Sequence, residues 1–167
     1  NFFKNDQEKI ETKKNETDEI VNNSNIIENV IYSSKDVDGN EYTINAVEGE
    51  IDYSNSNIIY LNNVTATISL KNSNIIIIKS DFGKYNSSNF DTIFSKNVMI
   101  NYLDNKITGE YLDFSPNRNS MILSRQVVYT NPSNILKADV VEINLKTKDT
   151  KIFMYEKNKK VNIESKY

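Results

Sequence analysis

Glu48, Glu50 and Asp52 recur at every second position, which places three carboxylates along one face of an extended strand. Paired acids can hydrolyse a glycosidic bond when one of them sits in a setting that raises its pKa. These three fall on the wet face of an amphipathic run, which does not supply that setting. Asp36-x-Asp38-Gly39-Asn40 has the opening of a calcium loop, but the bidentate Glu is missing at its offset and Asp-Gly is a common hairpin turn. We read it as a turn, with no metal. The chain has neither His nor Cys, so the usual general base, thiolate nucleophile and soft metal ligands are absent. No Gly-x-Ser-x-Gly elbow, phosphate loop or Lys-Ser dyad occurs. We expect no catalytic residue, no cofactor and no enzyme.

The elements that carry these residues are strands. At 167 residues the chain suits one domain burying roughly two-thirds of its unfolded surface. Hydrophobic residues make up 38% and charged residues 26%, and the net charge of -3 is spread without a basic face, which argues against nucleic acid as a partner. The 27 Asn and 22 Ile reflect a narrow residue usage, and Asn clusters are read as turns. No run approaches the roughly 20 apolar residues of a membrane span.

Residues 1–25 are dominated by Lys, Glu, Asp, Asn and Thr and are expected as a disordered or partly helical leader. The start at Asn1-Phe2-Phe3-Lys4, without Met or a signal-peptide pattern, suggests an anchoring segment upstream. Strand signals begin at Ile26 and run to residue 156; residues 157–167, with Lys157, Lys159 and Lys160, read as a basic polar tail. Tyr42 to Val64 forms the first hairpin, and the rest restates it. Ala46, Ser80, Gly109 and Ala138 each close an apolar run, the first gap being 34 residues and the next two 29. Eighteen residues after the first three lie Val64, Val98 and Val127, and four before each of those lie Tyr60, Phe94 and Leu123. In the fourth unit Glu156 stands where the Val should be.

Such repeats predict stacked hairpins, each covering the apolar face of the one before. The fold class expected is all-β: a twisted, open sandwich of antiparallel strands. Its inward column is Ile44, Ala46, Tyr60, Val64, Ile78, Phe94, Val98, Ile100, Leu123, Val127, Tyr129, Leu136 and Ala138. An open sandwich leaves two unpaired edges where partners can add strands, here Ile27, Val30 and Tyr32 at one end and Ile152 and Tyr155 at the other.

The order EYTINAVEGEID, IIYLNNVTATI, IIIIKSDFGKYNSSNFDTIFSKNVMINY, KITGEYLDFSPNRNSMILSRQVVYT and ILKADVVEINLKTKDTKIFM resembles the LptC family of the lipopolysaccharide exporter, within the OstA/LptA-type β-jelly-roll superfamily. Where that family often carries Gly between the Leu-like and Val positions, this chain has Asn62, Lys96 and Arg125. The resemblance implies that the inward column lines an apolar groove for lipopolysaccharide acyl chains. It implies a periplasmic position at the inner membrane, behind a single-pass anchor. It also implies an ABC transporter's jelly-roll permease at the N-terminal edge and an LptA-like bridge protein at the C-terminal edge. Three other readings stand beside it: a soluble LptA-like bridge, a parallel β-helix with an adhesin or polysaccharide-processing role, and a scaffold with a closed interior.

Overall fold

A computed structural model describes residues 25–166, so nearly all of the expected leader lies outside the described residues. Among the described residues ten strands follow one another: β1 (Ile26–Lys35), β2 (Glu41–Ile51), β3 (Ile58–Ser69), β4 (Ile76–Asn86), β5 (Thr92–Tyr102), β6 (Asn105–Ser115), β7 (Ser120–Thr130), β8 (Asn134–Asn144), β9 (Thr150–Phe153) and β10 (Asn162–Ser165). No helix occurs among the described residues. β1 to β8 pair in chain order, and β8 carries β9 along Val140–Ile143 and β10 along Asn134–Lys137. Every ladder is antiparallel, which rules out the parallel β-helix. Two expectations at the C-terminus are corrected. Tyr155 lies beyond β9, its backbone N–H donating to the Asp139 carboxylate at 2.9 Å, and the expected basic tail returns to the sheet as β10.

One sheet supplies both layers of the sandwich because its strands kink along a line. Positive φ occurs at Asn29 in β1, Asn63 in β3, Lys96 and Asn97 in β5, and Arg125 and Gln126 in β7. In β5 and β7 these residues are the extra ones of β-bulges, where the pairing register shifts. Rings from opposite sides of this line meet inside: Tyr32 stacks on Tyr85 with centroids 4.7 Å apart, and Tyr42 meets Phe114 at 5.9 Å. The repeat marks the kink. Small residues oppose the valines there, as Ala46↔Val64, Val64↔Ser80, Val98↔Gly109 and Val127↔Ala138. At Gly109 an added Cβ would stand 2.9 Å from Leu123 Cδ1, so the Leu123 side chain packs into the space that glycine leaves open.

The kink also fixes which residues face inward. Two left-handed residues preserve the inward phase over a four-residue step, from Phe94 to Val98 and from Leu123 to Val127, all buried. β3 has only one, Asn63, so its step is three residues and runs from Leu61 to Val64. Tyr60 therefore leaves the inward column: it is 44% exposed, its ring lies under Lys84 Nζ at 5.9 Å, and its hydroxyl donates to Asp52. The left-handed residue in β3 is Asn63, one place after Asn62 at the family's Gly position, whereas Lys96 and Arg125 at that position are themselves left-handed. Both long cations lie over an aromatic ring one strand back, Lys96 over Phe82 at 5.3 Å and Arg125 over Tyr111 at 5.1 Å. Such contacts contribute about 0.5–1 kcal/mol, comparable with the left-handed cost of roughly 1–2 kcal/mol.

Ile44, Ala46, Val64, Ile78, Phe94, Val98, Ile100, Leu123, Val127 and Ala138 are buried, and Tyr129 and Leu136 are half-buried. The long first repeat gap is the β3–β4 connection, residues 70–75, against 103–104 and 131–133 in the later units.

Candidate functional site

The interior differs along its length. In the N-terminal part, Tyr32, Tyr42, Tyr85, Phe90 and Phe114 fill the space between the facing layers and leave a void of only about 10 Å³. Burial pushes the Tyr85 phenol up to about 12, and the neighbouring Tyr32 adds to that. Burial also raises Tyr42, whose hydroxyl donates to Asp36 at 3.0 Å.

In the C-terminal part the interior opens into a trough of about 700 Å³. Its apolar lining is Ile76, Ile100, Ile107, Met121, Val141 and Ile143, together with Tyr129, Leu136, Leu145 and Ile152. Its two rims are the β3–β4 connection, with Leu70, Lys71, Asn72 and Ser73, and the β8–β9 turn, with Leu145, Lys148 and Thr150. At the mouth the Tyr102 hydroxyl lies 3.3 Å from Ser73 Oγ. That hydrogen bond lowers the phenol's pKa against the opposing effect of desolvation, and Asn74 and the Lys148 charge lower it further. The trough has water-repellent walls and a polar, cationic lip. Aliphatic chains fit its chemistry.

Of the inward column, Ile100, Tyr129 and Leu136 line the trough. Ile44 lines the small aromatic void instead. Ala46, Val64, Ile78, Phe94, Val98, Leu123, Val127 and Ala138 are buried without lining the trough, and Tyr60 faces solvent. Sequence reasoning missed Ile76, Ile107, Met121, Val141, Ile143 and Leu145. Period-two alternation extended outward from the repeat markers gives several of them: Ile76 two before Ile78, Met121 two before Leu123, and Ile107 two before Gly109.

Asp36 and Asp52 build turns, whereas Glu48 and Glu50 sit in the ladders of β2. Asp36 accepts hydrogen bonds from Asp38 N, Asn40 N, Asn40 Nδ2 and Tyr42 Oη. Burial alone would raise this carboxyl, but the hydrogen bonds from Asn40, Tyr42 and Asp38 outweigh it and the pKa falls. Asp52 is lowered chiefly by the Ser54 hydroxyl and amide, and further by Tyr60. No group of three or more His, Cys, Asp or Glu suited to a metal occurs among the described residues.

At the edges, β1 pairs only with β2 and exposes Ile26, Ile27 and Ile31, while Val30 turns into the core and Tyr32 is half-buried. At the far end Ile152 and Phe153 of β9 are 36% and 37% exposed. Among the described residues no helix is long and apolar enough to cross a membrane.

Residues 1–161 match the family model described as lipopolysaccharide-assembly, LptC-related. No curated protein matches the chain.

Proposed function

The chain belongs to the LptC-related family of lipopolysaccharide-assembly proteins, and from that premise we propose that it is a non-catalytic carrier that holds lipopolysaccharide acyl chains in the C-terminal trough. The open apolar trough carries this reading. Its volume suits on the order of twenty water-sized groups at about 30 Å³ each, which matches a part of a multi-chain lipid rather than the whole. Each methylene taken from water contributes about 0.8 kcal/mol, so a partly filled trough offsets most of the cost of leaving a bilayer. The sheet supplies no energy for movement. That falls to an inner-membrane ABC transporter whose jelly-roll permease adds to β1, where one backbone edge and three isoleucines are open. The lipid leaves toward a periplasmic LptA-like bridge at β9 and β10, the strands that occupy the other edge of β8.

The reading is tested by placing a photo-crosslinking residue at Ile107 or Ile143, and at Thr65 or Thr67 on the outer face, and exposing the protein to lipopolysaccharide. Adducts at the first pair and none at the second support it. Adducts confined to the outer face overturn it.

A further inference from the structure

We propose that Lys71, Lys146 and Lys148 form a phosphate clamp at the mouth of the trough, binding the anionic group of the same lipid whose chains enter below; this rests on the acyl-chain reading. Lys71 comes from the β3–β4 connection and Lys146 and Lys148 from the β8–β9 turn, so the cations approach from both rims. They line a crevice of about 190 Å³ that shares Leu70, Lys71, Leu145 and Lys148 with the trough. Its other polar side chains are Asp38, Asn40, Tyr42 and Asn119. Asn40 and Tyr42 are oriented by Asp36, and Asn40 Oδ1 also accepts the Lys71 N–H at 2.8 Å, which ties the two turns together.

The charges favour an anion. Three lysines face a single carboxylate, Asp38, in the crevice. None of the five ion pairs found among the described residues uses them. The placement is against the trend of the chain, which is acidic overall. Residues 25–100 hold five Lys against nine Asp and Glu, whereas residues 101–166 hold eleven Lys and Arg against eight. Basic charge collects in the half of the chain that supplies most of the trough's lining. Lys71 lies in the connection that lengthens the first repeat, so the extra residues carry one jaw of the clamp over the opening. An ammonium acts on a phosphate as a point charge and accepts a range of geometries, which suits a transient carrier.

The test uses the full 167-residue chain and two probes with identical chains, dimyristoyl phosphatidic acid and dimyristoylglycerol, in equilibrium binding at low salt. The wild type should bind the phosphate-bearing lipid about tenfold tighter, the sum expected of three exposed ion pairs. K71Q/K146Q/K148Q should lose that preference and keep its affinity for the uncharged lipid; the Lys→Arg triple should retain it, as should K84Q on the outer face. Equal binding of both lipids by the wild type, or a preference that survives in the Gln triple, overturns the clamp while leaving the acyl site intact. Failure to bind either lipid overturns the acyl-chain reading and the clamp with it.

Discussion

The two parts of this sheet share one repeat, one kink and one inward phase, yet one is filled and the other is open. The difference lies in side-chain reach. Facing layers of a sandwich stand about 10 Å apart. Where the positions away from the kink are aromatic, as with Tyr32, Tyr42, Tyr85 and Phe114, rings from both layers touch. Where they are aliphatic, as with Ile76, Ile107, Val141 and Ile143, the chains stop short and the trough remains. A closed scaffold and an open carrier thus differ by a handful of side chains on an unchanged backbone.

Truncating a side chain in each part should separate the filled interior from the open one. Phe114→Ala should cost about 3–5 kcal/mol in urea unfolding, because it deletes a buried ring and leaves a cavity in the filled part. Ile143→Ala, at a half-buried position facing an existing gap, should cost about 1 kcal/mol or less. Equal losses would mean that the two parts are packed alike. Gly109→Ala, at the kink that both parts share, should cost about 1–3 kcal/mol by forcing Leu123 aside. Ile107→Trp should carry an indole into the trough and reduce lipid crosslinking severalfold with little change in stability.

A smaller effect separates the parts by titration. Absorbance of phenolate should show Tyr102, at the mouth, ionising below the ordinary tyrosine value, and Tyr85 only near 12. The Tyr85 phenol is raised in the folded state, so its contribution is fully present below pH about 10 and is lost as pH rises toward 12. Tyr85→Phe should flatten that alkaline loss of stability, measured as urea midpoint against pH.

The sequence made the hairpins, the antiparallel order and the small-residue rows legible because each depends on local period and repeat spacing. It misplaced Tyr60 because one left-handed residue in β3, against two in β5 and β7, shifts the inward phase by a residue, and Asn63 alone does not announce how many neighbours join it. The tail at 157–167 read as polar because β10 is an edge strand whose residues are all exposed, so no burial pattern marks it. The trough was hidden for a different reason. Repeat markers report the kink, where packing is tight, and the gap lies away from it, where isoleucines look the same whether they meet a partner or a void.

If lipid enters the C-terminal part alone, the 22 isoleucines report it residue by residue. In a methyl NMR titration of the isoleucine-labelled protein with lipopolysaccharide, the δ1 methyls of Ile76, Ile100, Ile107 and Ile143 should shift, while those of Ile44 and Ile59 in the filled part should stay in place. Shifts of equal size at Ile44 and Ile59, or none at the trough methyls, would contradict it.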